Sequence, residues 1–429
     1  MTNWKEYKVE EFAEVIGGGT PSTKNPDYFG GSIPWITPKD LTNYEKKFIK
    51  NGDRNITKEG LSNSSAKLIP KNSILLTSRA PIGYLAIAEN EVTTNQGFKS
   101  IVVNPDIADF NFVYYLIKAN IERIKGYGTG TTFAEVSASV VKNLKFKLPD
   151  LPTQTAIAEI LSSLDDKIEL NNKLNQELEN LAQTLFKQWF IDFEFPTNFA
   201  NSSLSGAEGY KSSGGKMVDS ELGEIPKGWE VGTFGDLCKI VNGYAFKSKD
   251  FEETGSNGIL KIRNVNGSVV DIINTQFVAS DVVASVQKKF RVLTGYILIA
   301  MTGAEVGKTG IVPETKKSLW LNQRVGRFEP VLENAIVFIY HMFNVLNFTQ
   351  AVRNSAMGSA QPNISTSGIE SLNCLIPPKE IILKFSSINQ ESFDLTLKNL
   401  GENQELTNLR DTLLPKLISG ELEVNNVIF

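Results

Sequence analysis

The sequence predicts an α+β chain: two globular domains separated by two long antiparallel helices that pair as a coiled coil, built as an internal repeat with approximate twofold symmetry. Three observations predict it. The string NQELENL at residues 175–181 returns as NQELTNL at residues 403–409, 228 positions later. Residues 153–190 contain no Gly or Pro and carry apolar side chains at coiled-coil spacing. Ahead of each such stretch lie short β-rich runs punctuated by Gly, Pro and Asn.

The repeat extends well beyond the heptapeptide. Trp4 opens one half and Trp229 the other, Asn95-Gln96 answers Asn322-Gln323, and FVYYL from Phe112 answers FIYHM from Phe338. Gly130, Leu144 and Pro149 stand opposite Gly358, Leu372 and Pro377. The offset drifts from 225 to 228, as small loop insertions cause in a tandem duplication. The predicted boundaries are a first domain at 1–150, a first spacer helix at 151–196, a Ser/Gly-rich linker at 197–227, a second domain at 228–379, and a second spacer helix with its tail at 380–429.

Each domain takes its strands from runs such as SILLTSR (73–79), KSIVVNP (99–105) and GYILIAMTG (295–303), followed by a helix and a small-residue loop. In the first spacer helix a heptad frame sets Ile157, Leu161, Leu164, Ile168, Asn171, Asn175, Leu178, Ala182, Leu185 and Trp189 on one face. The second frame is weaker. It holds Phe385, Leu406, Leu413 and Leu417 in phase and Ile388, Leu395 and Leu409 one position early, with Gly401 inside and Pro415 expected to close it. A helix of this length measures about 55 Å, too long to bury its stripe alone, so the two are expected to run back along each other, with the seam asparagines setting register.

The net charge of −4 hides an alternation. The five blocks in order carry +3, −5, −1, +3 and −4, so the domains are basic and the helices acidic. No run of about 18 uncharged apolar residues offers a membrane span. A start charged from Lys5 onward and only two cysteines, Cys238 and Cys374, fit a cytoplasmic location.

Catalytic equipment is sparse. The one histidine, His341, sits in an apolar helical stretch and reads as a core or surface residue, with no second His or nearby Cys to complete a metal site or a base pair. GAEVGKTG (303–310) has three residues between Gly303 and Gly307 where a phosphate-cradling loop needs four, and the duplicated copy has Tyr84 in place of Lys308. IGGGTPST (16–23) lacks the dinucleotide spacing, and NPDY (25–28) has Asp27 where a base-holding Asn-Pro-Pro-aromatic motif has its second proline. No metal site is predicted.

These phrases have a family likeness. GGGTPST, LPDLPTQTAIAEILSSLDDKIELNNKLNQELENLAQTLFKQWFIDFE, LGEIPKGWE, GSAQPNIS (358–365) and LRDTLLPKLISGELEV, in that order, resemble the specificity subunits of type I restriction-modification systems. The first domain departs by carrying GTGTTFAEVS where the second has GSAQPNIS. The resemblance implies two target recognition domains, each reading one half of a split double-stranded DNA target, on helices that dock two methyltransferase subunits. Restriction subunits would supply translocation and cleavage. No cofactor is expected in this chain; S-adenosylmethionine, ATP and Mg would belong to the partners.

Under that reading, groove edges call for Arg, Asn and Gln, and phosphates for Lys and Arg. The candidates are Lys39, Arg79, Asn95 and Gln96 in the first domain, and Arg263, Lys308, Asn322, Gln323, Arg324 and Gln361 in the second. Lys46-Lys47-Lys50 and Lys288-Lys289-Arg291 would add salt-sensitive affinity. Leu174, Leu181, Trp189 and Phe190 are candidate partner contacts, with burial in the coiled coil as their other reading. Two other functions stay open: a coiled-coil scaffold without DNA specificity, and a methyltransferase or nuclease complete in one chain.

Overall fold

The computed structural model describes residues 4–129, 134–197, 208–265, 267–356 and 363–424. The chain falls into two compact units, Met1–Glu169 with Leu406–Phe429, and Leu170–Glu405. Two helices of the predicted kind are present, α1 at Leu151–Phe190 and α2 at Lys379–Ser419.

In the first unit a five-stranded sheet runs in the order 13–17, 98–103, 74–78, 82–88 and 48–49, beside a three-stranded sheet of 54–56, 29–36 and 93–94. Ile74–Ser78 is buried along its whole length because both faces are covered, which is why its sequence is a continuous run without alternation. Lys5–Lys8 pairs antiparallel with Lys145–Leu148 and closes the head. The second unit repeats the plan. Cys238–Asn242 pairs with Val325–Pro330 as Ala13–Gly17 pairs with Phe98–Val103, and Glu230–Thr233 closes on Asn373–Ile376.

Each unit packs its head on the long helices. In the first, Ile157, Ala158 and Leu161 of α1 and Leu414, Leu417 and Ile418 of α2 join the core of the head around Phe112 and Tyr115. In the second, Phe186, Trp189 and Phe190 meet Phe385, Trp229 and Phe338 in an aromatic cluster, with Trp189 and Phe385 at 6.0 Å between ring centroids. Residue numbers fall on α2 as they rise on α1: within the second unit Asn171 bonds Asn403, Asn175 bonds Asn399, and Trp189 meets Phe385. The helices are antiparallel.

Two expectations for α2 differ. Pro415 does not close the helix, which continues to Ser419. Burial of Leu414, Leu417 and Ile418 in the first unit's core outweighs the one backbone bond that proline forfeits. Leu395 and Leu409 face solvent, at 39% and 38% exposure, whereas Asn399 and Asn403 are buried and bond across the seam to Asn175 and Asn171.

Candidate nucleic-acid interface

Each head carries one turn built by the same backbone bonds. In the first, Asn95 N–H donates to Ile36 O at 2.9 Å and Gly19 N–H to Thr94 O at 2.9 Å. In the second, Asn322 N–H donates to Leu260 O at 3.1 Å and Tyr244 N–H to Leu321 O at 2.8 Å. The chain approaches itself so closely there that a Cβ on Gly18 would lie 2.0 Å from Asn95 O, and one on Gly243 2.2 Å from Asn322 O. Only glycine fits.

Beside each turn a short 3-10 helix presents one cation. Lys39 stands on Pro38–Leu41, held by Thr37 N–H donating to Asp40 Oδ2 at 2.7 Å, and Arg263 on Ile262–Asn264, held by Lys261 N–H donating to Asn264 Oδ1 at 3.0 Å. The fold therefore brings Lys39, Asn95 and Gln96 to one edge and Arg263, Asn322, Gln323 and Arg324 to its counterpart. Lys39 pairs with Asp53 at 3.2 Å while 84% of its side chain stays exposed. The Thr20 hydroxyl donates to Gln96, and Asn95 Oδ1 accepts from Gly97 N–H at 2.9 Å. Gln323 and Arg324 are exposed.

The other candidates are placed differently. Arg79 lies 3.6 Å from Glu135, which also takes Lys99 at 3.0 Å. Lys308 pairs with Glu305, and its segment runs into strand Thr309–Ile311, not into the helix that a phosphate loop requires. Gln361 lies outside the described residues. In the basic clusters, Lys47 points inward, its Nζ donating to Ser162 Oγ at 2.7 Å, and burial lowers its pKa to about 8 against the opposing pull of Asp165 and Asp166. Lys288, Lys289 and Arg291 are exposed.

Sequence reasoning missed Tyr244. It is 37% exposed, adjoins the Asn322 turn and meets Phe290 at 5.7 Å, a surface on which a base or sugar can stack. Its signal was an aromatic directly after the paired glycine, in VNGYAF.

On the helices Leu174 and Leu181 are exposed, at 39% and 69%, whereas Trp189 and Phe190 are core residues at 1% and 6%. His341 is buried against Phe385, with Nδ1 3.5 Å from Glu179 Oε1. Cys238 and Cys374 are buried free thiols; burial raises the pKa of both, that of Cys374 to about 12.

Comparison with known proteins decides the family. The sequence profile for the type I restriction modification DNA specificity domain matches residues 1–180 and 226–411. A type I restriction enzyme MjaIX specificity subunit of Methanocaldococcus jannaschii is 36% identical over 99% of this chain and 95% of its own. The chain belongs to the type I restriction-modification specificity family.

A second specificity subunit, HindI of Haemophilus influenzae, is 28% identical over 98% of this chain and all of its own. The crystal structure of a type I S subunit from M. genitalium shares the fold, with TM-score 0.57 at 19% identity over 97% of this chain and 96% of that one. The twice-matching profile coincides with the two heads and their helices, so this specificity-family chain carries its recognition domain twice. No helix among the described residues is long and apolar enough to cross a membrane.

Proposed function

We propose that this chain is the sequence-reading, non-catalytic subunit of a type I restriction-modification complex, in which the head at 1–150 reads one half of a bipartite asymmetric duplex target and the head at 228–379 reads the other. One observation carries the reading: the same glycine-dependent turn is built twice with the same backbone bonds, yet presents Lys39 on one head and Arg263 on the other. A shared frame with unlike contact residues suits two unlike half-sites on a dyad-related duplex.

The helices dock the partners. Asn180, Leu181 and Thr184 on α1 are repeated as Asn408, Leu409 and Thr412 on α2, and all six are exposed. Beyond the bonds of Thr184 and Thr412 along their own helices, these exposed side chains contribute little to packing, and their identity in both copies supports one kind of protein bound twice, the methyltransferase subunit. Restriction subunits join that assembly. S-adenosylmethionine, ATP and Mg belong to those partners, and the complex works in the cytoplasm. The helices also set the gap between the half-sites.

Sequencing of methylated adenines in cells with and without this chain tests the proposal. It expects a split motif that disappears with the chain, and Arg324→Glu is expected to relax or abolish one half of that motif while the other half stays. Methylation that is indifferent to the chain, or equal loss at both halves, would overturn it.

A further inference from the structure

Between the first head and α1 lies a cleft of about 620 Å³, with Lys46, Lys50 and Lys71 among its walls. All three lysines are exposed, and none forms an ion pair among the described residues. Asn51 and Asn72 add amide groups, and Phe48 and Phe110 give it an apolar floor. Two carboxylates, Glu89 and Glu169, gather near the Tyr44 hydroxyl, whose pKa is raised by burial and by both of them. The anion-attracting side of the cleft is thus its lysine side.

The cleft is continuous with the recognition edge. Lys50 and Asn51 line it, and Asp53, at most about 10 Å farther along the chain, pairs with Lys39. Asp53 N–H also donates to Asp40 Oδ1 at 2.8 Å, which ties this loop to the 3-10 helix that carries Lys39. Lys50 and Lys39 therefore stand at the two ends of one short stretch of the first head, with Asp53 and Asp40 tying the loop between them.

The cleft lysines have no counterparts at the matching positions of the second head, whose exposed Lys288, Lys289 and Arg291 lie on a different segment. Ile87 N–H donates to Lys47 O as Ile311 N–H donates to Ser268 O, at 2.8 and 3.0 Å, and this shared register aligns Lys46 with Gly267 and Lys50 with Asp271. Lys71 corresponds to Thr294, and Glu169 to Leu397. There Gln404 bridges the head to α2, accepting from Ile272 N–H at 3.0 Å and donating to Val270 O at 2.8 Å. Its repeat equivalent Gln176 donates to Asn180 on its own helix.

We infer that Lys46, Lys50 and Lys71 form a backbone-phosphate site for duplex DNA that serves the first half-site alone. This rests on the DNA-reading function proposed above. The site touches phosphates and not base edges, so it holds the duplex in register on the first head without adding to the sequence read.

The test measures the affinity of the full chain, assembled with its methyltransferase partners, for its methylated motif across a salt series. Arg324→Glu first assigns the halves, since the half it leaves intact is the one read by the first head. Lys46→Ala/Lys50→Ala/Lys71→Ala is expected to make the log affinity against log salt slope shallower by about two to three, near 0.9 per lost phosphate contact, with the methylated motif unchanged. Methylphosphonate linkages beside the first half-site are expected to weaken the unaltered complex and leave the triple variant indifferent. An unchanged slope, or equal sensitivity at both half-sites, would overturn the site. A triple variant that keeps the slope but no longer co-purifies with the methyltransferase would also overturn it, giving the cleft to an acidic protein surface. If the unaltered complex does not distinguish its motif from a scrambled duplex, the DNA-reading function itself fails.

Discussion

Asn171 Nδ2 donates to Asn403 Oδ1 at 2.9 Å in the seam of the two long helices, and the 228-residue repeat maps this pair onto Asn399 and Asn175, which bond at 2.8 Å. The two bonds are copies of one another across a local dyad. Asn403 donates in turn to Asn172 Oδ1 at 2.8 Å. This polar layer fits one register only, because a shift of either helix leaves buried amides facing leucines. Asn171→Leu should lower stability by about 1–3 kcal/mol, the cost of stripping a buried amide of its partner. Asn171→Leu with Asn403→Leu should recover most of that loss while weakening the register. Urea unfolding of both variants checks this, and a double variant no more stable than the single one would count against it.

Gly401, at the centre of that dyad, answers Lys173 in the repeat. A Cβ there would lie 2.4 Å from Glu314 O, and Glu314 N–H donates to Leu397 O at 2.9 Å, so glycine lets the second head rest directly on α2. Alanine is intrinsically the better helix residue by about 1 kcal/mol. Gly401→Ala should nevertheless destabilise the second unit, by about 1–3 kcal/mol, since backbone and not a flexible side chain must yield. Lys173→Ala should be close to neutral. Thermal unfolding of the pair decides the point, and a stabilised Gly401→Ala would show that the contact is slack.

The contrast between α1 and α2 shows what the sequence makes legible. In α1 the apolar heptad positions, from Ile157 to Trp189, are buried or half-buried, so periodicity alone marks the seam. In α2 the seam includes Asn399 and Asn403, buried polar residues that a search for apolar stripes passes over, while the exposed Leu395 and Leu409 mislead it. The duplication was readable because a repeat needs only comparison of the chain with itself. The site was less so. Lys39 and Asn95 are far apart in sequence, and only the backbone bonds from the Asn95 turn to Ile36 bring their edge together. Lys47, read as part of a basic surface, turns inward because the strand Phe48–Ile49 fixes its direction and Ser162 waits to receive it.

A buried charge cluster fastens the first head to both helices. Asp165 accepts from the Tyr115 hydroxyl at 2.6 Å and pairs with Arg410 at 2.5 Å, with Lys118 at 4.0 Å. Burial alone would raise its pKa, but Lys118, Arg410 and the bonds from Tyr115 and Arg410 outweigh that and hold the carboxyl below its ordinary 3.8. As pH falls the unfolded chain takes up this proton first, so the stabilisation is complete well above 3.8 and drains away below it. Asp165→Asn should cost about 3–5 kcal/mol at neutral pH, because Arg410 and Lys118 lose their counter-charge. The gap between variant and parent should stay constant down to about pH 5 and narrow below 4. Urea unfolding across pH measures it, and a gap that persists at pH 3 would mean that packing and not charge is responsible.

If the helices set the gap between half-sites, lengthening both must lengthen the gap. A heptad inserted after Lys173 and another after Leu400 keep the seam in phase, since each addition preserves the repeat of core positions. Each adds about 10 Å at 1.5 Å per residue, which corresponds to about three base pairs at 3.4 Å per step. The residues proposed to touch DNA are all in the heads, so both half-sites should be read as before. Sequencing of methylated adenines should then return the same two half-sites with up to about three more base pairs between them. The original gap, retained with full activity, would show that something other than helix length fixes the spacing.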